Sequence, residues 1–368
     1  MPTHVYSNPL EIVDISEINQ NTADKLLHAA SSQGFLMLEG HGFTQKEVDQ
    51  LYNLSEKFFT EVPLEEKQKY PIDKRNRGYT GMGVENLEFD QLDKKVGDPK
   101  ECFNFAALNL VAGVPDQTLP ALFQENLGTI SKTVMKLRED TKKILKLLAM
   151  GLQVDEKKGG SDWFVSRHGD TSPSGTTFRL LHYPSPVKPG ASDEEKDKYR
   201  EVNIAGAHTD YGGLTLLFQK EGEDGLQILS PITKKWEAVP FVAASPKFAA
   251  KGYAPPLIVN IADQLSYWTN GLLRSTVHRV RFAEKSLDEG KDRYSIVMFS
   301  HPSDDTLLEP VPSKLIDLTD ARGASQYLLK HGHSQRAGEH LARRLASTYG
   351  WYSVSYTHLR AHETAANL

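Results

Sequence analysis

The sequence predicts a mainly β fold in which a jelly-roll core carries flanking helices. From residue 177 onward, short apolar stretches recur at close spacing and are separated by glycine, proline and aspartate. Before that point, apolar residues recur three and four positions apart, which is the periodicity of helices packed on a core. The length of 368 residues is sufficient for one jelly roll with helical additions.

The first part of the chain predicts alternating short strands and helices. Thr44 can cap a helix, because its side-chain oxygen accepts a bond from a free backbone N–H group. Residues 71–118 are rich in charge and glycine, and a loop of this length is often functional. The other predicted elements, in order, are a strand at 13–16, a helix at 22–32 capped by Asn21, a strand at 34–38, a helix from Thr44 to about residue 59, a short helix after Pro63 and a helix over 122–152.

The second part predicts eight short strands and two terminal helices. Residues 185–198 contain proline and many charges, which predicts an exposed excursion between strands. The strands are expected at 177–183, 203–208, 214–219, 226–229, 236–238, 257–261, 278–281 and 294–299, and the helices at 325–330 and 335–348.

The composition is that of an ordinary globular protein, with 39% hydrophobic and 25% charged residues. A net charge of −5 lacks the basic footprint of a nucleic-acid-binding protein. No apolar run approaches a membrane span, and the first residues lack the pattern of a signal peptide. The single cysteine, Cys102, excludes an internal disulfide. We therefore expect a cytoplasmic protein with no nucleic-acid or membrane partner, and a buried Cys102.

His208 and Asp210 are the first indication of chemistry. Residues two apart on a strand point to the same side, so both side chains can reach one ion. His278 stands on a later strand that the fold must bring close. Two imidazoles and one carboxylate hold one face of a ferrous ion and leave three positions open, as in non-haem iron oxygenases. A His-x-Asp pair alone is more often a surface pair, and the third ligand makes a metal site the favoured interpretation.

Arg293 and Ser295 form a second pair at strand spacing. Arginine suits a carboxylate because its planar fork donates two parallel, charge-assisted hydrogen bonds. The Ser295 hydroxyl adds a further bond without adding charge. This pair is therefore a candidate for binding the carboxylate of an oxo-acid cosubstrate.

The set of motifs resembles the isopenicillin N synthase-like family of iron(II)- and 2-oxoglutarate-dependent dioxygenases over about residues 9–350. The resemblance implies a long helix followed by a double-stranded β-helix (jelly-roll) core over residues 121–351, with residues 1–120 as an N-terminal α/β region packed on it. Besides the two motifs above, it rests on residues 13–16 and 33–43, on Arg77-Gly78-Tyr79, on Asp98-Pro99-Lys100-Glu101 and on Trp268-Thr269-Asn270-Gly271.

The resemblance implies roles for individual residues. The implied iron ligands are His208, Asp210 and His278. The implied 2-oxoglutarate site consists of Arg293, Ser295 and Tyr183. Many plant members have an asparagine two residues before that tyrosine, where this chain has Leu181. No catalytic side chain is expected beyond the metal centre.

The implied activity is that of an enzyme that uses iron(II), 2-oxoglutarate and dioxygen to oxidise a small organic molecule. Hydroxylation, desaturation and cyclisation are all open, succinate and carbon dioxide are released, and family analogy suggests secondary metabolism. The alternative is an oxo-acid-independent iron oxidase of the same fold. An inactive regulatory jelly roll and a zinc hydrolase rank lower. The substrate candidates are Phe103, Phe105, Leu181, Tyr211 and Phe299, with Asn104 and His301 beside them.

Other polar residues are expected to be structural. Asp263 and Asn270 are expected to set the turns before His278. His41, His168 and His182 lack a partner motif. Residues 352–368 fit nothing in the family and resemble a translated adapter sequence, so we expect a non-native tail in which His358 and His362 bind no metal.

Overall fold

The computed structural model describes residues 8–87, 97–319 and 322–349, and it has the predicted mainly β, jelly-roll architecture. One sheet has eight strands and a second has four. Buried clusters combine side chains from both sheets, such as Leu181 with Val280 and Met37 with Ile228. The two sheets therefore pack face to face.

The strands are named in chain order. They are β1 (Ile12–Asp14), β2 (Phe35–Glu39), β3 (Gly78–Thr80), β4 (Glu101–Phe105), β5 (Leu108–Asn109), β6 (Val114–Pro115), β7 (Thr177–Tyr183), β8 (Ala205–His208), β9 (Leu214–Leu217), β10 (Leu226–Leu229), β11 (Trp236–Ala238), β12 (Leu257–Ile261), β13 (His278–Val280) and β14 (Arg293–Ser300).

The helices lie mainly before β7 and at the C-terminal end. They are α1 (Gln20–Ser32), α2 (Gln45–Glu61), α3 (Leu64–Lys67), α4 (Ala121–Glu125), α5 (Leu127–Gly151), α6 (Asp193–Arg200), α7 (Pro246–Ala249), α8 (Asp263–Trp268), α9 (Glu284–Glu289), α10 (Gly323–His331) and α11 (Ala337–Tyr349), with short 3-10 turns at Glu156–Lys158, Gly160–Asp162 and Val165–Arg167.

The strand register brings the predicted motifs to one place. The larger sheet has the order β1-β2-β12-β9-β14-β7-β4-β3, and the smaller has the order β11-β10-β13-β8. His278 on β13 lies directly opposite His208 on β8. Arg293 on β14 lies opposite Tyr183 on β7. The metal motif thus belongs to the smaller sheet and the Arg-x-Ser motif to the larger one.

The main hydrophobic core lies on the outer face of the larger sheet, under helices α1, α2 and α5. The side chains of β7 alternate between the two faces of the larger sheet. Phe178 and Leu180 face the helices, whereas Arg179 and Leu181 line the cavity between the sheets. A single strand therefore supplies both the core and the candidate site.

Two predicted helix caps have different outcomes. Thr44 caps α2, as predicted, because its hydroxyl accepts a bond from the backbone N–H of Glu47. The Glu47 carboxylate in turn accepts from the backbone N–H of Thr44, which completes a capping box. The predicted cap Asn21 is wrong: α1 begins at Gln20, two residues before the predicted start at residue 22, and Asn19 accepts a bond from the N–H of Thr22.

The predictions for two long segments, 122–152 and 71–118, are also corrected. The single helix expected over 122–152 is broken at Asn126, whose side chain bonds back to a carbonyl of α4. Residues 71–118 are more than a loop, because β3 and β4 pair there and β4 lies buried beside β7. The strand is hard to recognise in the sequence because it begins with the charged residue Glu101. Glu101 is buried in an ion pair with Lys67, and this tertiary contact is not visible in the sequence.

The remaining predictions concern the cysteine, membrane-spanning helices and the C-terminal tail. Cys102 is buried, as expected. Among the helices within the described ranges, none is long and apolar enough to cross a membrane. The predicted tail at 352–368, with His358 and His362, lies outside the described residues.

His182 joins a buried ion cluster on the helix side of the larger sheet. Its Nδ1 lies 2.8 Å from Glu101 Oε1, and its Nε2 lies 2.8 Å from Asp292 Oδ2. The ring stacks between Phe59 and Tyr294. Burial alone would lower the pKa of His182, but the hydrogen bonds to Asp292 and Glu101 raise it above its ordinary value. A ring that donates from both nitrogens is an imidazolium.

We predict that the free energy of unfolding falls as the pH rises through the raised pKa of His182. The contribution of the imidazolium is fully present below the pKa of the unfolded chain, about 6.5, and disappears when the folded ring loses its proton. Urea unfolding of the wild type and His182→Gln from about pH 5.5 to 9.5 measures it. The difference between the two proteins should shrink as the pH rises.

The matched control for this prediction is His168→Gln. His168 is buried against the Phe164 carbonyl, and burial lowers its pKa to about 3, so it stays neutral throughout that range. In the unfolded chain this ring takes up a proton below about pH 6.5, so the stability of the wild type relative to His168→Gln should rise from about pH 5.5 to 7.5 and then stay constant, which is the opposite trend to that of His182→Gln. A pH-independent effect of His182→Gln would contradict the account.

Candidate metal centre and active-site cavity

The structure brings His208, Asp210 and His278 together in the cavity between the sheets. Their ligand atoms all lie within 4.8 Å of one another. The Nε2 atoms of His208 and His278 lie 3.6 and 3.7 Å from the same oxygen, Oδ1 of Asp210. The pairing of β8 with β13 sets this arrangement, because it places the two histidines opposite each other.

Both imidazoles are oriented with Nε2 toward the carboxylate. Nδ1 of His208 lies 2.6 Å from the Gly206 carbonyl, and Nδ1 of His278 lies 3.1 Å from the Thr276 carbonyl. A carbonyl only accepts, so the proton of each neutral ring is on Nδ1 and the free lone pair is on Nε2. Burial lowers the pKa of His208 to about 4, with His278 acting in the same direction. The neutral ring is the form that binds a metal.

The two oxygens of Asp210 have different surroundings. Oδ2 accepts hydrogen bonds from the Thr215 hydroxyl at 2.6 Å and from the Asn260 amide at 2.8 Å. Burial alone would raise the pKa of Asp210, but the two imidazoles and these hydrogen bonds bring it below its ordinary value. The carboxylate is therefore charged, with Oδ1 directed toward the imidazoles.

Arg293 and Ser295 lie buried on β14, on the cavity side, as does Tyr183 on β7. Nη1 of Arg293 donates to the Ser295 hydroxyl at 2.6 Å, and its Nε donates to the Glu223 carbonyl at 3.1 Å. The guanidinium carbon lies 5.2 Å from the centre of the Tyr183 ring. Burial raises the pKa of Tyr183, so its hydroxyl stays protonated and can donate. The arrangement offers a fixed cation and two hydroxyl groups to an anion.

A second group of buried charges lines another part of the cavity. Glu85 lies 2.9 Å from Lys100 Nζ and 3.0 Å from Arg179 Nη1. Lys100 also lies 2.9 Å from Asp98, and the hydroxyl of Tyr349 on α11 donates to Glu85 at 3.0 Å. Burial alone would raise the pKa of Glu85, but Arg179 and Lys100 bring it below its ordinary value. Among the residues that the structure describes, two cations of this wall meet two carboxylates.

Three of the predicted substrate residues line the cavity, namely Leu181, Tyr211 and Phe299, and His301 lies with them. The cavity encloses about 1020 Å³ of space between atoms, counted to its open mouth.

Phe103 and Phe105 do not line the cavity, and this part of the prediction is wrong. Both rings pack on Phe123 in the helix-covered core, at centroid distances of 4.8 and 4.9 Å. On β4 the intervening residue, Asn104, faces the other way and accepts a hydrogen bond from Arg179 Nε at 2.7 Å. On β4 the two phenylalanines therefore face the helices, and the residue between them faces the side of Arg179.

The sequence analysis missed Arg179, Glu85 and two leucines of α11, Leu341 and Leu345, all of which line the cavity. Arg179 has a signal, because it alternates with Leu181 along an apolar strand and so shares its face. Glu85 and the leucines have none, since tertiary packing alone brings them to the cavity.

Two protein families match the chain. The family described as "non-haem dioxygenase in morphine synthesis N-terminal" matches residues 10–122. The family described as "2OG-Fe(II) oxygenase superfamily" matches residues 176–302. The second match includes all three residues of the candidate metal centre and the Arg-x-Ser pair.

Relatives cover almost the whole described chain. A 2-oxoglutarate-dependent dioxygenase of Didymella fabae is 33% identical over 300 residues, which are 77% of this chain and 80% of the relative. A UPF0676 protein of Schizosaccharomyces pombe is 32% identical over 346 residues, which are 92% of each chain. A full-length Neurospora crassa protein, crystallised in complex with alpha-KG, has a TM-score of 0.71 at 25% identity and covers 92% of this chain and 96% of that one.

The family matches, the identities and the shared fold lead to one conclusion. The chain belongs to the isopenicillin N synthase-like family of iron(II)- and 2-oxoglutarate-dependent dioxygenases.

Proposed function

We propose specific sites for the metal and the cosubstrate of this dioxygenase. The iron(II) ligands are His208, Asp210 and His278, and the 2-oxoglutarate site consists of Arg293, Ser295 and Tyr183. The observation that carries the proposal is the approach of both Nε2 atoms to one carboxylate oxygen, at 3.6 and 3.7 Å. Two neutral nitrogens and one charged oxygen on one side of an ion are the donor set that iron(II) takes in a facial triad.

Bound iron(II), with 2-oxoglutarate and dioxygen, supplies an oxidant that removes a hydrogen atom from a substrate carbon, and the oxo-acid leaves as succinate and carbon dioxide. The chain's own residues bind and orient. Arg293 and Ser295 hold the distal carboxylate of the oxo-acid, and the Tyr183 hydroxyl donates to it. Where the substrate carbon is held decides between hydroxylation, desaturation and cyclisation.

The substrate is a small organic molecule that lies between the triad and the wall formed by Glu85, Lys100 and Arg179. Because the charged groups described in this wall already pair with one another, an uncharged substrate that hydrogen-bonds to them is favoured over one that brings a further charge into a buried site. The ring of Phe299, 5.2 Å from the guanidinium carbon of Arg179, offers a flat apolar surface beside these polar groups. Leu181 and Tyr211 are further candidates for substrate contact.

The oxo-acid-independent oxidase is not favoured, because the Didymella fabae relative is a 2-oxoglutarate-dependent dioxygenase and the Neurospora crassa protein was crystallised with alpha-KG. We further propose a cytoplasmic location, which the single cysteine supports. A role in secondary metabolism and a division into residues 1–120 and 121–351 follow from family analogy.

We predict that iron(II) and 2-oxoglutarate, added together without oxygen, produce a weak visible charge-transfer band that His208→Ala abolishes. Removing one of three protein ligands leaves a site that no longer holds the ion. The control is His28→Ala, at an exposed histidine that pairs with Glu11, which should keep the band. A full band in the His208 variant would contradict the proposed ligand set.

We predict that Arg293→Met weakens 2-oxoglutarate binding about 100-fold and that Ser295→Ala weakens it about 10-fold. The first change leaves a buried carboxylate without its charged partner, and the second removes one hydrogen bond to a charged group. Titration of the iron-loaded protein with 2-oxoglutarate, followed by the same band, measures both. Arg281→Met, at a residue that bonds to Asn203 and Glu201, should leave the affinity unchanged, and equal losses in all three variants would refute the assignment.

We predict that Thr215→Val weakens iron(II) binding about 10-fold, because outer hydrogen bonds hold the carboxylate that binds the metal. With this hydroxyl gone, Oδ2 of Asp210 is freer to rotate toward the ion. Anaerobic titration calorimetry measures the affinity. The control is Thr141→Val on α5, where the hydroxyl bonds only to the Leu137 carbonyl of its own helix. Unchanged affinity in Thr215→Val would contradict the role of Oδ2.

A further inference from the structure

Asp263, the first residue of α8, contacts three separate segments with one carboxylate. The Thr209 hydroxyl donates to its Oδ2 at 3.2 Å, from between the two metal-site residues of the His-x-Asp motif. The Ser275 hydroxyl donates to its Oδ1 at 2.7 Å, from the turn that leads to His278. Arg344 of α11 lies 3.3 Å from Oδ2 through Nη2. The carboxylate therefore ties both ligand-bearing segments to the C-terminal helix.

The backbone around Asp263 strengthens the same connection. Its N–H donates to the carbonyl of Asp210 at 2.8 Å. The neighbouring N–H groups of Ala262 and Gln264 donate to the carbonyls of Gly213 and Gly212, each at 2.9 Å. The start of α8 is thus fixed to the loop that follows the metal-site carboxylate, and a displacement of one displaces the other.

Helix α11 covers the cavity and is fastened to the same loop. Leu341 and Leu345 line the cavity from the helix. The guanidinium carbon of Arg344 lies 4.4 Å from the centre of the Tyr211 ring, and Thr348 hydrogen-bonds to the Tyr211 hydroxyl. Tyr211 directly follows Asp210. The helix that closes the cavity therefore contacts the metal loop both directly and through Asp263.

We infer that Asp263 is a positioning residue that couples the docking of α11 to metal binding. The inference rests on the proposed ligand set. Asp263 does not line the cavity and is no ligand itself. It acts through Thr209 and Ser275, which set the backbone of the two ligand-bearing segments, and through Arg344, which holds the helix over the substrate space.

A coupling of this kind is reciprocal. If docked α11 favours the backbone geometry that binds iron(II), bound iron(II) must favour docked α11 by the same factor. Hydrogen exchange of the α11 amides therefore reports on metal binding without any turnover. An acid whose role is only to stabilise the fold would slow exchange equally with and without metal.

The experiment measures two quantities in the full-length protein without oxygen: the affinity for iron(II), and the exchange of residues 337–349 with and without iron(II). In the wild type, iron(II) should slow exchange in α11. Asp263→Asn and Arg344→Met should each weaken iron(II) binding about 10-fold and abolish the slowing. Arg344→Lys, which keeps a cation near Asp263, should retain part of the iron(II) affinity and part of the slowing of exchange. The control is Asp140→Asn, at a buried acid on α5 that pairs with Lys143, which should behave as wild type.

The outcomes separate this inference from the proposed function. A wild type that fails to bind iron(II) would overturn the ligand set and the inference together. A wild type that binds iron(II) normally, with Asp263→Asn and Arg344→Met showing the same affinity and the same slowing of α11 exchange, would overturn the inference alone. Thermal unfolding of each variant identifies any general loss of stability, so that such a loss is not mistaken for a loss of metal binding.

Discussion

The geometry of the candidate active site depends on the different contacts that the two carboxylate oxygens of Asp210 make. Oδ2 is fixed by Thr215 on β9 and Asn260 on β12, which face each other as register partners in the larger sheet. Oδ1 is thereby directed at two imidazoles carried by the smaller sheet. One carboxylate thus bridges the two layers of the jelly roll. The proposed metal centre forms only where both sheets pack in the correct register, so the fold and the proposed function share the same constraint.

The buried charges beside the centre impose a second constraint. Ion pairs that leave water lose solvation, and they persist only where every partner is in place. Glu85 contacts Lys100, Arg179 and Tyr349. Lys100 directly precedes β4, Arg179 lies on β7 and Tyr349 is the last residue of α11. The wall of the substrate space is therefore assembled from distant parts of the chain. We propose that such a wall of paired charges selects substrates by hydrogen bonding rather than by net charge.

The sequence was sufficient to predict the jelly roll and the residues that meet at its centre, because strand geometry fixes which residues share a face. The pairs His208 and Asp210, and Arg293 and Ser295, follow from a period of two. Phe103 and Phe105 were assigned wrongly because β4 was not recognised as a strand, so the same rule was not applied to them. Glu85 and the leucines of α11 were beyond sequence reasoning, because only tertiary packing places them.

The measurement that tests the central claim most directly is an oxygen-free crystal structure with iron(II) and 2-oxoglutarate bound. The account predicts an ion bound by Nε2 of His208, Nε2 of His278 and Oδ1 of Asp210, with Oδ2 still held by Thr215 and Asn260. It also predicts the distal carboxylate of the oxo-acid at Arg293 and Ser295. An ion bound elsewhere, or an oxo-acid whose distal carboxylate lies at Arg179 and Lys100, would contradict it.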